Sequence, residues 1–217
     1  MIQHVDLSKP VYEKLKEMIL TQELKPGEKI VQEKIAESLG VSRTPLLKAL
    51  QVLENEYLVE SIPRRGMYVR KLDLKEMIDV YDCREAIEGM AARILAERCE
   101  PSVVTQLEAC FEPFKKAAGW LDYAASDERF HRLLVQLTGN TAMDKIYFFG
   151  NIHGRVVSQG LLRGPEETLP EHFAMIKAIA DGDPEEAERL TREHIRNSRK
   201  LLTNQYQNQL KKDNIDE

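Results

Sequence analysis

Asp127 and His131 stand four residues apart in DERFHRLLVQL. On a helix that spacing puts both side chains on one face, and Phe130, Leu134 and Leu137 make that face apolar. His172 falls in the first turn of a second amphipathic segment, PEHFAMIKAIA, on the side of Met175, Ile176 and Ile179. His194 shares a stripe with Ala187, Leu190, Ile195 and Leu201 on a third. Taken singly, each histidine reads as a hydrogen-bonded core residue. Taken together, three of the five histidines and one aspartate point into one helical interior. Imidazole nitrogens with a carboxylate are a ligand set for a first-row divalent ion, Zn²⁺ first and Ni²⁺ or Mn²⁺ next. Four such ligands close a tetrahedral site, whereas a larger shell leaves positions for water or a carboxylate. His153, on a stripe with Phe149 and Val156, faces inward as core or as a support to the ligands. No residue is assigned a catalytic role.

These residues need helices to hold them, and the sequence supplies them. Strand signals disappear after Leu72-Asp73, where Asp73 and Glu76 form a capping-box pattern. Helices are expected over residues 73–98, 102–118, 121–137, 142–162, 170–180 and 184–209, separated late in the chain by Gly- and Pro-containing breaks. Asp183 with Glu186 gives a second capping box, with Pro184 at the first helical position. On the helix over 73–98, Val80, Ile87, Ala91 and Ile94 line one face. Arg84 falls within its width and Glu88 at its edge. A charge at a core-facing position needs a partner. For Arg84 the structural reading of that partner is an internal ion pair with Glu88.

The first third of the chain reads differently. Ser8 caps a helix over 10–22 with Val11, Leu15, Met18 and Ile19 as its stripe. Ile35, Ala36 and Leu39 then make one short apolar face and Leu46, Leu50 and Leu53 another, with Gly40 between them. Gly40 suits a left-handed helix end, Ser42 an N-cap, and Pro45 the first turn of the next helix. Two short helices joined by such a turn form a helix-turn-helix, whose second helix enters the DNA major groove. Its leading residues here are Ser42, Arg43 and Thr44, a guanidinium between hydroxyls that suits a guanine edge and its neighbours. Strands over 57–62 and 67–71 bracket Pro63-Arg64-Arg65-Gly66 and give a hairpin with a basic tip. An ordinary pair of bundle helices explains the helical pattern alone; it does not explain the wing's arginines.

Composition bounds the rest. The 217 residues, 42% hydrophobic and 31% charged, describe a globular protein of one large or two small domains. Residues 1–72 carry 12 Lys+Arg against 10 Asp+Glu, and residues 73–217 carry 19 against 26. Within residues 40–71 there are six basic residues and three acidic ones, the footprint of a DNA face. The acidic remainder suits a different task. Cys83, Cys99 and Cys110 are odd in number and lack metal-type spacing, as in a reducing cytosol. No apolar run reaches the ~20 residues of a membrane span and no signal-peptide pattern leads the chain, so the expected location is the cytoplasm.

The segment PGEKI…EKIAESLGVSRTPLLKAL…LVESIPRRGMYV resembles the winged helix of GntR-type bacterial transcription regulators, over residues 11–70. The resemblance implies DNA contact at Arg43, Thr44 and Gly66, with Ser42, Arg64 and Arg65 close by. Where the family has TPVREAL, Leu47 replaces the arginine and Lys48 the acid, and Tyr57 stands in place of a common glycine. Lys48 supplies a charge there but not a bidentate fork. Residues 73–205 are similar to the all-helical ligand-binding domain of the FadR-like branch. The matching pieces are the Arg84…Glu88 helix, DERFHRLLVQLTGN, EHFAMIKAIADGD and the EHI of the last helix. That resemblance implies metal ligation by Asp127, His131, His172 and His194, a small organic-acid effector, and Arg84 as its carboxylate anchor.

The expected architecture is mainly α. Residues 1–72 form a winged helix-turn-helix DNA-binding domain, and residues 73–217 an effector-binding and dimerisation bundle. The expected function is a DNA-binding transcription regulator, repressor or activator, whose operator affinity is modulated by a small organic acid bound at a divalent-metal site. It is expected to be a homodimer because palindromic sites mirror two-fold symmetry. The competing reading is a metal-dependent hydrolase that uses the winged helix only for docking. It needs a positioned acid or base beside the metal, and Glu171, the nearest free carboxylate, is expected to point off its ligand's face.

Overall fold

The computed structural model describes residues 8–112, 120–149, 159 and 161–213. They divide into two compact units, those up to Lys71 (with Phe149 and Gln159) and those from Leu72 on.

In the first unit α1 spans Ser8–Leu20, α2 Gln32–Ser38 and α3 Arg43–Asn55. Ser8 is thus the first residue of α1 rather than its cap, and the helix stops before Gln22, which has a φ of 59°. The turn after α2 is a Schellman motif: Gly40 N–H donates to Glu37 and Val41 N–H to Ala36, with Gly40 at a φ of 63°. Ser42 has the extended backbone of an N-cap but makes no side-chain capping bond. Leu15, Ile19, Leu46, Leu50 and Leu53 are fully buried together, so the stripes of α1 and α3 form one core. Strands β1 (Val59–Ile62) and β2 (Gly66–Val69) pair antiparallel, Val59 with Val69 and Ile62 with Gly66. Both are shorter than their sequence pattern. Behind them, Lys16 donates to Glu56 at 2.9 Å and Tyr12 to the same carboxylate at 2.6 Å, tying α1 to the end of α3.

Among its described residues the second unit is built from helices joined by short turns: α4 Leu74–Arg98, α5 Pro101–Glu108 with a 3₁₀ turn Ala109–Phe111, α6 Trp120–Gln136, α7 Thr141–Phe149 (all but its last residue), α8 Pro165–Ala180 and α9 Pro184–Asp213. Both bonds of the Asp73–Glu76 capping box form, and Asp183 accepts from Glu186 N–H at the start of α9. Helix α8 begins five residues earlier than expected. Pro165 takes its first position and Pro170 lies inside it, so the proline read as a start is an interior one. Helix α9 lies antiparallel along α4: Arg93 bonds Glu185 near one end and Arg199 bonds Asp82 near the other. The buried face of α4 runs through Tyr81, Arg84, Glu88, Ala91 and Leu95, while Ile87 and Ile94 are only half-buried. Glu88, expected at the edge, is therefore at the centre. Likewise Leu201 is exposed and Leu202 takes its place in the core.

Candidate metal centre and nucleic-acid interface

Three helices of the second unit deliver the ligand candidates and a fourth supports them. Helix α6 carries Asp127 and His131 on one face, α8 presents His172, α9 presents His194, and α4 lies beneath with Arg84 and Glu88. His131 and His172 are fully buried, and His194 and Asp127 nearly so. The three histidines place ligand nitrogens within 4.8 Å of one another. His131 Nε2 and His172 Nε2 are 3.2 Å apart. Asp127 Oδ1 stands 3.5 Å from His172 Nε2 and 3.7 Å from His131 Nε2. Two donors each about 2.0–2.1 Å from a shared ion lie roughly 3.0–3.4 Å apart, so these groups fit an ion with small adjustments.

The other nitrogen of each ring is engaged from outside the cluster. His131 Nδ1 donates to Glu88 Oε2 at 2.6 Å, and His194 Nδ1 to Glu171 Oε2 at 2.7 Å. His172 Nδ1 faces the Tyr123 hydroxyl at 3.4 Å, a long contact. A carboxylate that accepts a proton from Nδ1 of His131 or His194 would leave that ring's Nε2 lone pair for an ion, the tautomer a metal ligand needs. Burial, with His194 next, pushes the His172 imidazole well below its ordinary range. Burial also lowers His194, against the pull of Glu171. Neutral rings are the ligating form.

The supporting carboxylates are themselves held. Glu88 is fully buried and accepts from Arg84 Nε at 2.8 Å, from Tyr147 at 2.7 Å and from His131. Arg84 also lies over the Tyr81 ring, 5.0 Å from its centroid. Burial opposes the Arg84 charge, but Glu88 together with Tyr81 and Tyr147 outweighs it and raises the guanidinium above its ordinary value. Glu171, expected to point away, turns to His194 and takes a two-armed grip from Arg163 at 2.6 and 2.8 Å. Burial alone would raise its carboxyl, yet His194 and Arg163 bring it down to about 2. A groove lined by Pro170, Glu171, Ala174, Leu190 and His194 reaches His194 from outside, and His131, His172 and Asp127 are not part of its lining.

The structure thus brings together Asp127, His131, His172 and His194. It adds four residues that sequence reasoning did not assign to the site: Glu88 and Glu171 as proton acceptors, Tyr123 and Tyr147 as hydroxyl partners. Only Glu88 carried a signal, a charge beside an apolar stripe. Arg84 is where its pattern put it, paired with Glu88 at rest. His153 lies outside the described residues.

In the first unit the candidate DNA-contact side chains face outward. Ser42, Arg43, Thr44 and Lys48 are exposed on α3, and Arg43 rests on Glu33 at 2.6 Å with both about two-thirds exposed. Lys48 sits about 100° around the helix from Leu47 and lines a groove with Ser8, Lys9 and Tyr12 of α1. It does not occupy the place of Leu47. At the wing tip Arg65 N–H closes a turn onto Ile62 O, with Pro63 second and Arg64 third at a φ of 65°, as in a type II turn. Arg64, Arg65 and Gly66 are exposed there.

Comparison with known proteins gives two families. Residues 7–69 match "Bacterial regulatory proteins, gntR family" and residues 79–197 match "FCD domain". A Streptomyces ambofaciens protein called an uncharacterized HTH-type transcriptional regulator in an unstable DNA locus is 30% identical over 190 residues, covering 86% of this chain and 80% of the relative. The HTH-type transcriptional repressor RspR of Escherichia coli is 27% identical, covering 87% of this chain and 86% of its own. Among solved structures, E. coli McbR/YncC superposes with a TM-score of 0.78 at 20% identity, over 93% of this chain and 99% of the other. A GntR-type regulator from Rhodococcus sp. RHA1 gives 0.78 at 21%, over 92% and 99%. The two sequence relatives are named as HTH-type transcriptional regulators, which favours that class over the hydrolase reading. Among the described residues no helix is long and apolar enough to cross a membrane.

Proposed function

Since the chain belongs to the GntR family of bacterial regulatory proteins and carries an FCD domain, and so is a DNA-binding transcription regulator, we propose that it is a cytoplasmic homodimeric repressor tuned by a small organic acid. The acid binds beside a divalent metal ion in the helical unit. The observation that carries this is the convergence of three buried histidines, with Asp127 touching two of them. His131, His172, His194 and Asp127 would hold the ion, Zn²⁺ first by donor type, with Ni²⁺ or Mn²⁺ next. A bound ion supplies fixed positive charge and open positions for a carboxylate. Arg84 contributes a second, cationic anchor for the acid, its Nε kept on Glu88.

The DNA side rests on exposure and type. Arg43 meets a guanine edge, and Ser42 and Thr44 its neighbours or the backbone. Lys48, Arg64 and Arg65 meet phosphates or the adjacent minor groove, and Gly66 allows close backbone approach. Helix α4 follows the wing directly in the chain, and it carries Arg84 and Glu88. An acid engaging Arg84 therefore biases the element that leads out of the wing. A coupling of roughly 1–3 kcal/mol is the usual size of such an effect, and it is reciprocal.

Elemental analysis and mass spectrometry of the purified full-length protein test this, followed by operator gel shifts with and without chelator. About one metal per chain, and an acid response that vanishes on chelation while DNA binding remains, are expected. A full acid response in fully chelated protein would refute the metal-linked mechanism.

A further inference from the structure

Helix α3 buries Leu46, Ala49, Leu50 and Leu53 and turns Arg43, Thr44, Leu47 and Lys48 outward. Leu47 is 48% exposed on that otherwise polar face. The groove beside α1 takes up Lys48, Gln51 and Val52 but not Leu47. Its neighbours also argue against docking a second copy of the same face, since Arg43 and Lys48 would meet their own like charges. A polyanion with apolar groups between its charges suits this surface better.

We propose that Leu47 is a specificity-determining residue that packs on the C5-methyl of a thymine in the major groove. The inference rests on the reading of α3 as the groove helix. In the groove, base edges present hydrogen-bond donors and acceptors that lose water when a side chain covers them. Leucine can satisfy none of them, and leaving them covered and unpaired is unfavourable. The thymine methyl is the apolar group among the base edges, so it is the feature an advancing leucine can cover without loss. Leu47 lies one helical turn beyond Arg43, about 6 Å along the axis. At ~3.4 Å per base pair, its thymine is one or two pairs from the base that Arg43 meets. An arginine at this position would read guanine instead, so the operator of this chain differs there from sites read by an arginine.

The test uses full-length protein and a site selected from random duplex DNA. Each thymine of that site is replaced singly by deoxyuridine, which removes only the methyl group, and affinity is measured by gel shift at fixed salt. One thymine per half-site is expected to show about a four-fold loss. Leu47→Ala, an exposed change that leaves the core alone, should erase that sensitivity. Leu47→Arg should select guanine in place of that thymine. Uracil tolerated at every position would overturn the inference, as would a sensitivity that survives in Leu47→Ala. Arg43→Ala in the same assay separates the two levels. If it keeps wild-type discrimination, the placement of α3 is wrong and Leu47 falls with it. If it loses discrimination while uracil is tolerated throughout, only the role of Leu47 is refuted.

Discussion

The two units handle charge in opposite ways. The winged unit turns its candidate functional side chains outward: Arg43 and Glu33 form their ion pair with about two-thirds of each side chain exposed. The helical unit turns them inward: Arg84 and Glu88 pair with 4% and 0% exposed. An exposed pair gains little from its partner and can let go of it, as the proposed exchange of Glu33 for DNA requires. A buried pair is committed, because neither charge can return to water. One surface is built to release its contacts and the other to hold a geometry.

The largest expected effect follows from that contrast. Glu88→Ala strands the buried Arg84 and frees His131 Nδ1 and the Tyr147 hydroxyl, and should cost about 3–5 kcal/mol of stability. Glu33→Ala, which removes the exposed partner of Arg43, should cost no more than about 1 kcal/mol. Urea unfolding followed by far-UV circular dichroism compares them. Equal costs would break the distinction between the units.

Metal binding gives the next largest. Zn²⁺ at about 100 times its dissociation constant should stabilise the helical unit by roughly 2.7 kcal/mol, reversed by chelation. His172→Ala should abolish that gain. Glu171→Gln, which leaves every ligand in place, should weaken metal binding by about 10–100-fold, measured by titration calorimetry. Metal affinity unchanged in Glu171→Gln would show that the His194–Glu171 bond does not tune the centre.

On the winged unit, Arg43→Ala should lose roughly 1–3 kcal/mol per half-site and relax specificity at one position. Arg65→Ala should weaken all sequences alike and reduce the salt slope by about 1. If both variants behaved as Arg65→Ala is expected to, α3 would be a backbone-binding element.

The same contrast explains what the chain reveals before folding. The helix-turn-helix is local: Gly40, Ser42 and Pro45 signal turn, cap and first helical turn within six residues. The four candidate ligands were legible because each lies on an apolar helical stripe that must face a core. Their supports were not. Glu88 reaches His131 across 43 positions and Tyr147 across 59, and no periodicity records a meeting of that kind. Glu171 misled for another reason. Helical spacing gives the direction of Cα–Cβ, but a glutamate arm with three torsions bends back to His194. The interior Pro170 of α8 was misread because proline suits a helix's first turn, and Pro165 already held that position.

The smallest expected effect probes strain in the winged unit. Helix α3 ends in a second Schellman motif, with Tyr57 N–H donating to Glu54 and Leu58 N–H to Leu53. The motif puts Tyr57 at a φ of 59°, a left-handed conformation that glycine adopts freely and tyrosine does not. Part of the cost is offset outside the backbone, because the Arg70 guanidinium lies over the Tyr57 ring, 5.4 Å from its centroid. An exposed contact of this kind is worth about 0.5–1 kcal/mol. Two substitutions separate the terms. Tyr57→Ala keeps the strained backbone and loses the ring, and should destabilise by about that amount. Tyr57→Gly loses the ring but relieves a strain of about 1–2 kcal/mol, less the greater freedom glycine has in the unfolded chain. It should therefore exceed Tyr57→Ala in stability by about 0.5–1 kcal/mol and fall close to wild type. Metal affinity should be the same in all three proteins, since the substitution lies in the other unit. A Tyr57→Gly protein no more stable than Tyr57→Ala would mean that the left-handed turn carries no strain, and that the ring–guanidinium contact alone accounts for tyrosine at this position.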